Sequence, residues 1–186
     1  MPFDESLLNI DYLVFSSHKT ATQTLIGTFN YNGFNSRHCH TLRKSIKMEG
    51  YFQDYLNAYL MKNKRKLTVI SSFREPIERH MSSFFQCYGT KAIRNKEVKD
   101  KFETILYRYS IEELCEQFIH ELNNKSCSGM MNESIMDIIK ELNINLNDLN
   151  YDKKNKFGLY ENNIIKLYIF DFKFITQNMS NILNTY

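Results

Sequence analysis

The stretch "YLVFSSHKTATQTL", residues 12–25, decides the fold. Four apolar residues lead into a turn of hydroxyl side chains with one histidine and one lysine, and a helical spacing of apolar residues begins at Thr22. The apolar run lacks the alternation of a half-exposed strand, so it predicts a buried parallel strand over residues 12–17 with a helix directly after it. A strand, a loop and a helix in this order expose backbone N–H groups at the helix start, which is typical of an anion site.

The composition is that of one globular domain over residues 1–186. Hydrophobic residues make up 42% and charged residues 24% of the chain, and the formal net charge is +3. This charge is too small to indicate nucleic acid, and it suits a protein with a small anionic ligand. The N-terminal segment lacks the apolar core of a signal peptide, and the apolar runs are too short to span a bilayer, so we expect a soluble cytoplasmic protein. The oligomeric state is not predicted.

The four cysteines, at positions 39, 87, 115 and 127, form no Cys-x-x-Cys pair. This spacing gives no indication of a zinc ribbon or a redox dithiol, and reduced, mostly buried thiols are expected.

The remaining pattern alternates between strands and helices. Beyond the first strand, strands are predicted over 67–73 and 164–172, and "NSRHCHTL" (35–42) is a strand or the exit from one. Helices are predicted over 51–62, from Pro76 to about Tyr88, over 134–142, and after a capping box of Ser110 and Glu113. Residues 89–101 are expected to be a connection, 143–156 a loop, and 175–183 a closing helix. Together these elements predict an α/β fold with three α/β/α layers around a central parallel sheet.

A nucleoside-triphosphate P-loop is the first interpretation to test for the loop after the first strand. It requires Gly-x-x-x-x-Gly-Lys-Ser/Thr, with the lysine just before the helix. This loop has no glycine, and Lys19 stands early in it. A kinase is therefore a third-ranked interpretation, behind those given below.

A second anion-directed pattern follows the strand at 67–73. Arg74 stands at the end of that strand, and Ser82 lies just over two helical turns further on. An arginine fork and a hydroxyl in these places can hold one phosphate from two sides. The alternative is a structural salt bridge of Arg74 or Arg79 with Glu75 or Glu78.

Together the two patterns resemble a known family. "HKTATQTL" (18–25) resembles the 5′-phosphosulfate loop of sulfotransferases that use 3′-phosphoadenosine 5′-phosphosulfate (PAPS), and "FREPIERHMSSFF" (73–85) resembles their 3′-phosphate motif. The carbohydrate sulfotransferases, including bacterial capsule-type enzymes, are the most similar branch. The resemblance covers about residues 12–88 and implies the P-loop-like sulfotransferase fold. The expected activity is sulfuryl transfer from PAPS to a hydroxyl of a capsule, lipopolysaccharide or other glycan, leaving 3′-phosphoadenosine 5′-phosphate (PAP).

The resemblance also implies the binding residues. The 5′ end would be held by the loop N–H groups together with His18, Lys19, Thr20, Ala21, Thr22, Gln23 and Thr24. Arg74 and Ser82 would hold the 3′-phosphate, and Lys19 would also neutralise the leaving phosphate oxygen without a metal. Two positions depart from the family: Ala21 replaces a usual glycine, and Gln23 replaces a usual hydroxyl. The glycine-free turn is expected to need less left-handed backbone.

The acceptor hydroxyl needs a general base, and histidine is the natural candidate. His38 and His40 should lie near the carboxyl end of the sheet, and "RHCH" is similar to the base region of sugar 2-O-sulfotransferases. We choose His40 over His38. No metal is expected, since these histidines and Cys39 have no fourth ligand at a recognisable spacing. The alternative function is a catalytically inactive PAPS- or PAP-binding protein; neither interpretation includes a nucleic-acid partner, and the acceptor's identity stays open.

Overall fold

The computed structural model describes residues 5–40, 52–94, 109–124, 135–175 and 179. The chain divides into two compact units. The sheet unit comprises Met1–Arg74 and Ser134–Tyr186, and the helical unit comprises Glu75–Glu133.

The sheet unit contains six strands. They are β1 (Tyr12–Phe15), β2 (Ser36–Cys39), β3 (Leu67–Phe73), β4 (Asn150–Asp152), β5 (Phe157–Glu161) and β6 (Ile165–Asp171). Their order across the sheet is β2-β1-β3-β6-β5-β4. The strands β2, β1, β3 and β6 are parallel, whereas β5 and β4 are added antiparallel at one side of the sheet. The carboxyl ends of β2, β1, β3 and β6 therefore share one edge of the sheet.

Five α-helices are described. In the sheet unit they are α1 (Thr22–Tyr31), α2 (Phe52–Asn63) and α5 (Ile135–Glu141); in the helical unit they are α3 (Pro76–Arg94) and α4 (Ile111–Asn124). None of these helices is both long and apolar enough to cross a membrane.

Alternate residues of β1 pack on opposite faces of the sheet, as the pleat requires. Leu13 and Phe15 belong to one buried cluster together with residues of α2 and α5. Tyr12 and Val14 belong to a second cluster, in which the helical partners come from α1. Helices therefore flank both faces of a mostly parallel sheet, which agrees with the predicted three layers.

The main strands and the central parallel sheet are confirmed, but the sheet also carries two antiparallel strands at one side that the sequence did not predict. β1 and β3 lie within their predicted ranges, and "SRHC" is a strand parallel to β1. The Asn- and Lys-rich segment 143–156 was expected to be a loop, yet it contains β4, which pairs antiparallel with β5. β4 is short and mostly exposed, so it carries no apolar pattern that marks a strand.

The predicted helix boundaries agree with the structure to within one residue except at the end of α3. α3 continues to Arg94, past the end expected near Tyr88, so the first part of the predicted connection is helical. The predicted capping box is confirmed: the Ser110 N–H donates to Glu113 Oε2 at 2.7 Å, and the Glu113 N–H donates to Ser110 Oγ at 3.1 Å. The rest of the connection, residues 95–101, and most of the predicted closing helix lie outside the described residues.

The end of α1 sets the start of β2. Gly33 has φ +83°, and the N–H groups of Gly33 and Phe34 donate to the carbonyls of Asn30 and Phe29, as in a Schellman motif. The Phe34 ring packs edge-on against Tyr12 in β1, with centroids 5.2 Å apart. This turn returns the chain beside β1 and thereby brings "RHCH" alongside the anion-directed loop.

Candidate functional site: a loop, two imidazoles and an arginine at one sheet edge

The loop between β1 and α1 contains two residues with left-handed backbone. Lys19 has φ +65° and Ala21 has φ +64°, while Thr20 between them and Thr22 after them do not have positive φ. The expectation that this turn needs less left-handed backbone is therefore wrong. Left-handed geometry is costly for residues with a Cβ, so the fold around the loop must stabilise it.

Positive φ at Lys19 and Ala21, on either side of Thr20, suits an anion. Successive N–H groups in alternating right- and left-handed conformations form a concave nest that binds negative charge. Ala21 is the N-cap of α1 and has no side chain that caps the first turn. The N–H groups of that turn are thus directed along the helix axis toward the loop, at the positive end of the helix dipole.

Buried hydroxyl groups hold the loop in shape. Thr20 Oγ1 donates to the Ser17 carbonyl oxygen at 2.6 Å, and Ser16 Oγ and Thr22 Oγ1 share a hydrogen bond of 3.1 Å. Ser72, near the end of β3, donates its hydroxyl hydrogen to the Thr20 carbonyl oxygen. The hydroxyl groups of Thr20 and Thr22 are therefore engaged in hydrogen bonds that stabilise the loop.

The other predicted loop residues are more accessible. Lys19 and His18 are half-buried, and Gln23 and Thr24 are exposed on the first turn of α1. These side chains are thus at least partly accessible to solvent. That they bind PAPS stays a prediction.

His40 is fixed next to this loop. It follows β2 directly, and β2 pairs with β1 so that Cys39 lies opposite Phe15. Its Nδ1 lies 2.7 Å from the Ser16 carbonyl oxygen. A carbonyl only accepts hydrogen bonds, so Nδ1 carries the hydrogen, and in the neutral ring Nε2 keeps its lone pair. A neutral His40 is thus in the tautomer that a general base acting through Nε2 requires.

The three candidate histidines lie together. The rings of His18 and His40 are stacked, with centroids 3.5 Å apart and planes inclined by 25°. The His38 ring meets His40 edge-on at 5.5 Å, and its side chain is exposed on β2. Among the described residues, no group of three or more His, Cys, Asp or Glu side chains is arranged to hold a metal ion.

Arg74 begins the segment after β3. Its guanidinium lies 4.7 Å from the centroid of the Phe172 ring, which follows β6. Such a cation–π contact holds the guanidinium at the same sheet edge as the loop. Ser82 belongs to the helical unit, where it is half-buried on α3. The pairing of Arg74 with Ser82 around one phosphate stays a prediction.

Glu75, a candidate partner in a salt bridge with Arg74 or Arg79, makes hydrogen bonds at the start of α3. Its Oε2 accepts a hydrogen bond from the Glu78 N–H at 2.8 Å, and its carbonyl oxygen accepts from the Arg79 N–H at 2.9 Å. Glu75 therefore caps the start of α3, where a carboxylate also suits the helix dipole.

The sequence-based interpretation missed Ser72, Ser16 and Phe172. A signal for Ser72 was available, because "LTVISSF" predicts a buried strand and has two serines just before its last residue. Polar residues inside a buried strand need partners, and at a carboxyl edge those partners are loops. The contacts of Ser16 and Phe172 depend on residues distant in the chain and had no such signal.

The chain was compared with protein-family models, curated proteins and solved structures, and none of them matches it.

Proposed function

We propose that this protein transfers a sulfuryl group from PAPS to a carbohydrate hydroxyl. The observation that supports this proposal best is the closeness of an anion nest and a tautomer-fixed imidazole. The Ser16 carbonyl oxygen, at the start of the loop that carries Lys19, is the acceptor for His40 Nδ1–H. An enzyme of this type needs a positive field for the leaving group and a base for the acceptor, and neighbouring strands offer both here.

The binding step would use two cationic positions. The nest, the N-terminus of α1 and Lys19 would receive the 5′ end of the nucleotide. Arg74, held against Phe172, would receive the 3′-phosphate with its guanidinium fork, together with Ser82. A 3′-phosphate contact of this kind makes PAPS preferred over ATP.

When bound, PAPS supplies the sulfuryl group and leaves as PAP. His40 Nε2 would take the proton of the acceptor hydroxyl while the acceptor oxygen forms its bond to sulfur. The electron pair of the breaking sulfur–oxygen bond passes to the 5′-phosphate, where Lys19 and the loop N–H groups would stabilise the added charge. The chain thus contributes electrostatic stabilisation and one proton acceptor.

Nucleotide discrimination tests the binding half of the proposal. PAP is expected to raise the melting temperature far more than AMP or ATP at equal concentration, since AMP shares the 5′-phosphate and lacks the 3′-phosphate. Arg74→Ala should weaken PAP binding by about ten- to a hundredfold and leave AMP binding almost unchanged. Equal stabilisation of the parent protein by all three nucleotides contradicts the proposal.

Transfer of radiolabelled sulfate from PAPS to a glycan panel tests the catalytic half. Lys19→Ala should lower kcat by about a hundredfold or more while the fold persists. Lys140→Ala removes an exposed lysine of α5 and serves as the matched control. Full transfer activity in Lys19→Ala removes Lys19 from the mechanism.

One observation favours the alternative, an inactive PAPS- or PAP-binding protein. The hydroxyls of Thr20 and Thr22 are engaged within the loop, and Gln23 stands where relatives of the resembled family have a hydroxyl. Tight PAP binding without transfer to any glycan in the panel would establish that alternative. Magnesium-dependent ATP hydrolysis would instead establish a kinase-like activity.

A further inference from the structure

We infer that His18 is a positioning residue that holds the His40 imidazole by ring stacking. The inference rests on the proposed function for its catalytic meaning, because it assumes that His40 is the base. Its structural content, a ring held by its neighbour, is measurable in the protein without any substrate.

The hydrogen bond to Ser16 and the stack on His18 both constrain the His40 ring. The hydrogen bond from Nδ1 to the Ser16 carbonyl fixes one edge of the ring, but it allows rotation about the line between the two atoms. The stacked His18 ring, 3.5 Å away between centroids, restricts that rotation because the planes must stay nearly parallel to keep contact. The stack thus restricts a rotation of Nε2 that the hydrogen bond leaves open.

Both constraints come from the same short segment. Ser16 and His18 are two residues apart, and Lys19 follows His18 directly. The segment that forms the anion nest therefore also sets the position of the base. A shift of the loop would move the imidazole and the cationic site together. The position of the proton acceptor relative to the leaving-group site would therefore stay the same.

Three variants distinguish positioning from direct binding. His18→Ala removes the ring, His18→Phe keeps a flat ring without nitrogen atoms, and His120→Ala removes an exposed histidine of α4 as control. Carbon-13 relaxation of the imidazole C–H groups in the ligand-free proteins reports the mobility of the His40 ring. We expect a rigid His40 ring in the parent, in His18→Phe and in His120→Ala, and a mobile ring in His18→Ala.

Kinetics give the second measurement. His18→Ala should lower kcat by about ten- to a hundredfold with the KM for PAPS within about twofold, and His18→Phe should restore most of kcat. A raised KM with unchanged kcat in His18→Ala assigns His18 to nucleotide binding and overturns the inference. Equal loss of kcat in His18→Phe and His18→Ala also overturns it, because the nitrogen atoms then matter and the stacked ring does not.

The NMR experiment separates this inference from the proposed function. If the parent protein transfers no sulfate, the proposed function fails, yet a mobile His40 ring confined to His18→Ala still supports the stacking role. If the His40 ring is equally rigid in all four proteins, the positioning role is refuted whatever the activity.

Discussion

Ser72 donates its hydroxyl hydrogen to the Thr20 carbonyl oxygen, so that β3 holds the loop that follows β1. The bond is buried and joins two segments distant in the chain. It lies between the two left-handed residues of the loop, Lys19 and Ala21. The neighbouring strand thus stabilises a turn whose own residues disfavour its conformation.

Ser72→Ala should therefore weaken both fold and site. Its loss leaves a buried carbonyl without this donor, so we expect the free energy of unfolding to fall by about 1–3 kcal/mol in urea titrations. PAP affinity should fall as well, since the nest loses its support.

Ser71→Ala is the matched control for Ser72→Ala. Ser71 is equally buried, and within the described residues its hydroxyl has no hydrogen-bond partner. Its replacement should be neutral or slightly stabilising. A larger loss for Ser71→Ala than for Ser72→Ala contradicts the role assigned to the Ser72 bond.

Ala21→Gly tests the strain in the loop. Glycine adopts positive φ without cost, but it also increases the entropy of the unfolded chain, so the two effects nearly cancel. We expect the free energy of unfolding to stay within about 0.5 kcal/mol of the parent, with PAP binding retained. Ala58→Gly, within α2, should instead lose about 1 kcal/mol. Similar losses at both positions would show that Ala21 carries no backbone strain.

Tyr59→Phe tests how the segment before β1 is held. The Tyr59 hydroxyl donates to the Ile10 carbonyl oxygen at 2.9 Å, and the side chain is buried. The variant keeps the ring and loses this bond together with the hydrogen bond between the Tyr59 hydroxyl and Arg65, so the free energy of unfolding should fall by about 1 kcal/mol. Tyr31→Phe is the control, since Tyr31 is 91% exposed. If Tyr59→Phe is as stable as Tyr31→Phe, the Tyr59 hydroxyl does not stabilise the fold.

Cys39 makes the stability sensitive to alkaline pH. Burial, and to a lesser extent the Glu141 carboxylate, raises the pKa of the Cys39 thiol far above its ordinary value. The folded state then keeps a proton that the unfolded state loses, so this contribution is complete below the unfolded thiol's pKa and declines as pH rises above it. With an unfolded pKa of about 8.5, we expect a loss of about 1–2 kcal/mol between pH 8 and pH 10.

The control for this pH dependence is Cys39→Ala, which is less stable overall but should show a shallower decline over the same range. Identical slopes in both proteins would exclude the thiol as the cause. Peptide mapping after iodoacetamide treatment gives an independent check. Cys115 is exposed and should react in the folded protein, whereas Cys39 should react only after unfolding.

The sequence predicts the framework of the sheet better than the geometry of its edge. β1, β3 and the capping box of α4 follow from local patterns of apolar residues and from side chains three residues apart, so they are visible in the sequence. β4 has three residues and no apolar pattern, and tertiary pairing with β5 alone defines it.

The same limit applies to the candidate site. The loop, Lys19, Arg74 and "RHCH" are identifiable by type and by position after strands. The left-handed φ of Lys19 and Ala21, the Ser72 bond and the stack of His18 on His40 arise from packing between segments distant in the chain. No local preference of these residues indicates them, and for Ala21 the local preference points the other way.

The pairing of β3 with β6 has a consequence for how the protein is made. These strands lie side by side in parallel, yet the whole helical unit and α5 separate them along the chain. During synthesis β3 therefore emerges long before β6, and the backbone N–H and C=O groups on one edge of β3 stay unpaired until β6 arrives. We expect slow refolding limited by this distant closure, and a tendency of chains halted before β6 to aggregate, so that recovery of native protein should depend on chaperones and on low protein concentration.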